Sequence, residues 1–293
     1  MLNALAQNAA QPATWFAHLT GAGRDRRLRL PHRLRRQILL LACVLSAATV
    51  PALAADLLAD AKARGTLRIA MEGTYPPFNF KDGKSGQLTG YDVDVARLLA
   101  NKLGLKAEFV GTEWSAILAG LAARKYDVIV SQVGITPKRQ EVFDFSLPYT
   151  YSTPQLIVRK SETASYPSLD ALKGKKLGVG QGSLYEQQAR AVPGIVLKSY
   201  PAAADTMQDL AVGRIDAALN DSLMVAYMLR TAALPVKAGA RIGAVERMGI
   251  PFAKGNPQFK AAIDKALQEA GADGSLKAIS LKWFGIDVSR PPP

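Results

Sequence analysis

The strongest constraint on the fold is a segment that occurs twice. Residues 121–132, Leu-Ala-Ala-Arg-Lys-Tyr-Asp-Val-Ile-Val-Ser-Gln, are echoed by residues 210–221, Leu-Ala-Val-Gly-Arg-Ile-Asp-Ala-Ala-Leu-Asn-Asp. Each copy reads as a helix end, a basic turn, an aspartate, a short apolar strand and two polar residues at the strand's carboxyl end. Continuous apolar strands of this length belong to parallel sheets covered on both faces. The surrounding pattern agrees. Strands are expected at 67–71, 126–130, 176–180, 195–200 and 216–220, and helices at 92–103, 114–123, 185–191 and 203–212. Such alternation predicts parallel sheets with right-handed crossovers. A strand-like piece at 247–251 follows, then helices opening at Asn256-Pro257, with proline at the first helical position, and over 275–284.

The amino terminus is set apart by composition. Seven arginines between Arg24 and Arg36 precede an apolar run at 38–50 and then Ala52-Leu53-Ala54. That is a basic region, an apolar region of signal-peptide length and a small-x-small cleavage site. A transmembrane helix needs about 20 apolar residues, more than this run supplies. The reading is a signal peptide over 1–54 and a periplasmic mature protein. So long a basic region leaves open a translation start further in. Arg35-Arg36 leaves open twin-arginine export, and Leu40-Leu41-Ala42-Cys43 a lipoprotein anchor.

Cleavage there removes Cys43, His18 and His32, the chain's only thiol and imidazoles. Cys/His and Ser-His-Asp nucleophilic catalysis are thereby excluded, as is a zinc site on nitrogen or sulfur ligands. Seven of the 37 Lys and Arg leave with that segment and one of the 24 Asp and Glu, so the formal charge falls from +13 to +7. No basic stripe interleaved with aromatics is present, so nucleic acid is not an expected partner. No cofactor is expected. The remaining chain of about 240 residues suits two lobes better than one core. Lobe 1 is expected over 55–151 and 246–293, and lobe 2 over 152–245. The chain would cross near 149–154 and 243–250, forming a two-strand hinge.

Ligands of open α/β sheets bind beyond the carboxyl ends of the strands. Past the strand at 126–130 come Ser131 and Gln132, then Gly134, which permits close approach to the backbone. Thr136-Pro137 can cap and open a short helix. Arg139 then offers a planar fork of donors suited to a carboxylate.

Six motifs resemble those of the periplasmic polar-amino-acid-binding proteins of ABC importers, over about 65–288. They are Glu72-Gly-Thr-Tyr-Pro-Pro-Phe78, Leu88-Thr-Gly-Tyr-Asp-Val-Asp94, Gly134-Ile-Thr-Pro-Lys-Arg139, Phe143-Asp-Phe-Ser-Leu-Pro-Tyr149, Gly213-Arg-Ile-Asp216 and Lys282-Trp-Phe-Gly285. The first, with the Gln-Val before Gly134, is most similar to the cystine-binding branch. The resemblance implies a two-lobed α/β periplasmic-binding-protein fold, each lobe a mainly parallel sheet flanked by helices. It implies a monomer that binds a free amino acid between its lobes and passes it to a membrane permease, without catalysis.

Carried over by position, Arg139 would clamp the α-carboxylate and Asp221 the α-ammonium. Tyr75 and Trp114 would sandwich the side chain, although packing in the core is the alternative for each. Glu72 would meet the side chain's polar end, or else be a solvated acid. Ser131, Gln132, Gln181, Gly182 and Ser183 fall at contact positions, and backbone N–H groups at 181–183 would help with the carboxylate. Gly134 stands where relatives often carry Ser or Thr, so a backbone N–H or Thr136 would compensate. Gly180 and Leu184 replace more polar residues, and the pocket should be roomier. Sulfur–aromatic contacts suit cystine, whereas Glu72 between aromatic rings would also welcome arginine or lysine; the resemblance to the cystine branch puts cystine first. The same fold resembles periplasmic cyclohexadienyl dehydratases, for which Glu72 would be the general acid.

Overall fold

The computed structural model describes residues 56–292. The segment expected to be a signal peptide, with Cys43, His18 and His32, lies outside the described residues. Its first sheet begins with β1 (Thr66–Met71). Later in the chain come β2 (Thr74–Tyr75), β3 (Asn79–Lys81) and β4 (Leu88–Thr89), which form a small antiparallel sheet of their own. Strands β5 (Lys106–Gly111) and β6 (Val128–Ile129) flank β1, both parallel to it. Next come β7 (Val133–Gly134), β8 (Phe143–Phe145) and β9 (Thr150–Ser152), then β10 (Pro154–Arg159), β11 (Lys176–Gly180), β12 (Val196–Tyr200) and β13 (Ala217–Asp221). The last strands are β14 (Val236–Arg241), β15 (Glu246–Gly249) and β16 (Pro251–Ala253).

The first sheet has the order β5–β1–β6–β16–β8 and the second β12–β11–β13–β10–β14. The two are built alike. Each has three parallel strands on one side, then one strand antiparallel to them, β16 or β10, and an edge strand antiparallel to that one, β8 or β14. The chain leaves the first sheet through β9 and returns through β15. These pair antiparallel, Thr150 opposite Met248 and Ser152 opposite Glu246, with β7 on the other edge of β15.

The repeated segment occupies equivalent places, β6 in one sheet and β13 in the other, and its aspartates do the same work. Asp127 accepts a hydrogen bond from the backbone N–H of Arg68 on β1, and Asp216 from that of Lys176 on β11, each at 2.8 Å. Each aspartate thus satisfies a backbone donor near the start of the middle strand of the parallel three. Asp127 is additionally paired with Arg64 and Arg68 at 2.5 and 2.7 Å.

Helix Tyr91–Lys102 covers the first sheet with Val95, Ala96, Leu99 and Ala100 buried. It begins at Gly90, whose φ of 130° is open to glycine; an added Cβ would lie 2.2 Å from the Phe78 carbonyl oxygen. Helix Pro257–Ala272 packs on the same sheet, and its Phe259 meets Phe252 of β16 edge to face at 5.0 Å. Both rings are fully buried. Phe252→Ala should therefore cost about 3–5 kcal/mol, read as a lowered urea midpoint at unchanged m-value.

Candidate ligand-binding cleft

The carboxyl ends of both parallel strand sets open on one cleft. It holds about 590 Å³ of empty space, the open solvent at its mouth included. Glu72, Tyr75, Trp114, Ser131, Gln132, Gly134 and Arg139 line it from the first sheet's side. Gly180, Ser183, Leu184, Tyr185, residues 201–203 and Asn220 line it from the second, and Met248 of β15 closes the back.

Arg139 is placed by its own short helix. The Thr136 side chain caps helix Pro137–Gln140 by accepting from the Arg139 N–H at 3.2 Å. The guanidinium is 5% exposed and donates to the Gly134 carbonyl at 2.9 Å and, across the cleft, to the Gly182 carbonyl at 3.1 Å. Its Nε–H has no partner and no carboxylate pairs with it among the described residues. Burial without a counter-ion pulls its pKa down to about 10. Its guanidinium carbon lies 6.0 Å from the centre of the Trp114 ring, at the start of helix Trp114–Ala122.

Asp221 is the opposite case. It is fully buried, immediately behind Asn220 and Tyr185 rather than on the cleft surface. It caps helix Ser222–Thr231 through the Leu223 N–H at 2.8 Å and accepts from the hydroxyls of Ser152 and Tyr185. Burial raises its pKa, and no cation lies within ion-pair reach among the described residues. Tyr75 stacks on Phe78 and donates to Asn220 Oδ1 at 2.6 Å, a direct bond between the two sides.

Two expectations need correction. Backbone N–H groups at 181–183 are not available to a ligand: Gln181 donates to the Tyr200 carbonyl, Gly182 to the Glu186 carboxylate and Ser183 to the Gly180 carbonyl. The Gln181 side chain is exposed and outside the cleft. Nor does Gly134 leave free room. A Cβ there would come 3.1 Å from Leu184 Cδ2, so the side chain from the opposite lobe already fills that space. Asn220, Tyr185 and Met248 are cleft residues that the sequence reading did not select. Asn220 was legible as the first polar residue of the second repeat, but nothing local marks the other two.

Residues 67–286 match the bacterial extracellular solute-binding proteins, family 3. The chain belongs to that family. It is 41% identical over 239 residues to a protein of Escherichia coli (strain K12) named L-cystine-binding protein TcyJ, covering 80% of this chain and 88% of that one. A solved structure described as an ancestral arginine-binding protein bound to glutamine superimposes with a TM-score of 0.72 at 39% identity, over 76% of this chain and 99% of that one. Another is AncCDT-1, described as an ancestral amino acid-binding protein and a precursor of cyclohexadienyl dehydratase. It gives a TM-score of 0.72 at 34% identity, over 78% and 99% of the two chains.

Glu72, at the end of β1, is half-buried in this solute-binding cleft, and burial pushes its pKa up to about 7 against a 3.0 Å hydrogen bond from Thr74. A raised folded pKa means the folded state holds the proton more tightly than the unfolded chain. Stability from that proton is present below about pH 4.5 and is lost as pH rises through 7. In the ligand-free protein Glu72→Gln should be more stable than wild type at pH 8, and the difference should vanish at pH 4. Melting temperatures of both proteins across that range check it.

Proposed function

We propose that the protein binds a free L-amino acid in this cleft and delivers it to the permease of an ABC importer. One observation carries the reading. Buried charges of opposite sign stand on the two sides of one cleft, Arg139 in one wall and Asp221 just behind the other, and neither has an ion-pair partner among the described residues. A buried unpaired charge is costly, and a zwitterion supplies both counter-charges at once. Arg139 takes the carboxylate through its unused Nε–H and its fork. Asp221 takes the ammonium once Tyr185 yields its place. Because each lobe holds one end of the ligand, binding draws them together.

Cystine is the ligand we put first, with cysteine and glutamine behind. The relative named for cystine supports that order, as do Tyr75 and Trp114, which suit a sulfur-containing side chain. Glu72 then meets the second ammonium of cystine, and it would serve arginine or lysine in the same way. The export reading belongs to the same proposal: a signal peptide over 1–54, cleavage after Ala54, and a monomer working in the periplasm. Glu72 also favours a second reading. A carboxyl pushed up to about 7 suits a general acid, and turnover of prephenate or arogenate would then replace stable binding.

Calorimetry with the twenty amino acids and cystine tests both. Arg139→Ala should weaken binding at least about a hundredfold, since hydrogen bonds to charged groups contribute roughly 1.5–3 kcal/mol each. Arg139→Lys should bind poorly too, because an ammonium cannot reproduce the fork. Arg139→Ala should not melt below ligand-free wild type, since it removes a buried guanidinium that has no counter-ion among the described residues. Near-wild-type affinity in Arg139→Ala overturns the clamp. Displacement of cystine by arginine at equal concentration overturns the ligand order alone.

A further inference from the structure

A polar cluster behind the first sheet's side of the cleft is used by none of these contacts. Asp92, in the first turn of helix Tyr91–Lys102, is fully buried, has no cation partner among the described residues and does not line the cleft. Its carboxylate instead takes three hydrogen bonds. Oδ1 accepts from Gln132 Nε2 at 2.7 Å and from the Tyr149 hydroxyl at 2.9 Å, and Oδ2 accepts from Asn79 Nδ2 at 2.8 Å. The Tyr149 hydroxyl also accepts from the Gln132 N–H at 3.1 Å, and Asn79 Nδ2 reaches Ser131 Oγ at 3.2 Å.

Two features show what this arrangement constrains. Gln132 has a φ of 51°, left-handed backbone that a residue with a side chain seldom adopts, and both its amide groups are held by the cluster. Tyr149 directly precedes β9, the first strand of the passage between lobes, and its carbonyl is held by the Tyr91 hydroxyl at 2.7 Å. One carboxylate therefore joins the Ser131–Gln132 corner of the cleft to the start of the hinge. Burial lifts its pKa to about 6, and the three donors hold it down against that rise.

We infer that Asp92 is a positioning residue for ligand binding: it locks the Ser131–Gln132 corner to the first hinge strand. The inference rests on the amino-acid-binding reading above. With the lock intact, the lobes meet the ligand at one relative placement. Without it the corner relaxes from its left-handed turn, and affinity falls although no group that touches the ligand has changed.

An exchange of two side chains tests this. Asp92→Asn alone turns an acceptor into a donor, so an amide must face either Asn79 or the Gln132–Tyr149 pair, all donors. Adding Asn79→Asp reverses the conflict. The amide at 92 then donates to the carboxylate at 79 and still accepts from Gln132 and Tyr149. Ser131 donates to the new carboxylate, and net charge is unchanged. By calorimetry with L-cystine, L-glutamine and L-arginine near neutral pH, Asp92→Asn should bind about ten- to a hundredfold more weakly at full stoichiometry. The double variant should return to within about threefold of wild type. A purely structural role would lower the active fraction and leave Kd unchanged; that result, or a folded double variant that fails to recover, overturns the inference.

Amide hydrogen exchange on the ligand-free protein reads the same lock without a ligand. Asp92→Asn should speed exchange at residues 132–134 and 150–152 and leave β11 and β13 as they were, and the double variant should reverse it. Exchange unchanged at those two segments overturns the lock. If wild type binds none of the probes, the amino-acid reading falls while the exchange data still decide the lock. Should Asp92→Asn not fold, Tyr149→Phe, which removes only the shared hydroxyl, takes its place in both measurements.

Discussion

The short antiparallel pairing of β9 with β15 is the constraint to which everything else is fitted. Thr150, Tyr151 and Ser152 face Met248, Arg247 and Glu246. Through these two strands the chain passes out to the second sheet and back, so they set how the carboxyl ends of the two sheets face each other. Residues of the cleft also grow out of this ladder or touch it. Met248 forms the cleft's back, Ser152 binds Asp221, and Glu246 accepts from Gln188 of the second lobe at 2.6 Å. A change in the ladder is felt at both ends of a bound molecule.

Against that frame the cleft is an electrostatic device short of two partners. Most neutral donors and acceptors around it are satisfied within the protein: the N–H groups of 181–183, the Tyr75 hydroxyl and Asn220 Oδ1 all have bonds, and Gln132 Oε1 is the exception. Only the formal charges go without ion pairs, and their shifted pKa values record the cost, downward for Arg139 and upward for Asp221 and Glu72. Polar satisfaction fixes the shape of the site, and unsatisfied charge gives it something to bind. The solute-binding family to which the chain belongs fits that division.

Local pattern carried the parallel strands of both sheets except β5, which the sequence reading did not mark. The strand at Lys176–Gly180 and the helix at Ser275–Phe284 fall where the sequence puts them, and most other boundaries shift by a residue. The antiparallel halves were less legible. Strands β10 and β14 and helix Ser222–Thr231 were not anticipated, because each is defined by a partner far along the chain or by a cap, Asp221, already read as something else. The site divides in the same way. Arg139, Tyr75, Trp114 and Glu72 stand out as residue types at turns after strands. Tyr185 and Met248 enter only through the meeting of two lobes, and Asp92 only through hydrogen bonds to residues 40 and 57 positions away. Periodicity reports which face is buried; it does not report which buried polar groups find each other.

The contact between Gly134 and Leu184 has a consequence for descent. One lobe leaves out a side chain and the other supplies the methyl groups that take its place. The two are coupled: a serine at 134 would require the Leu184 side chain to give by a few tenths of an ångström, since the added Cβ would lie 3.1 Å from its Cδ2. The two positions, 50 residues apart, should therefore change together among descendants of this chain, and a chimera joining one lobe of this protein to the other lobe of a relative would inherit the mismatch at its seam.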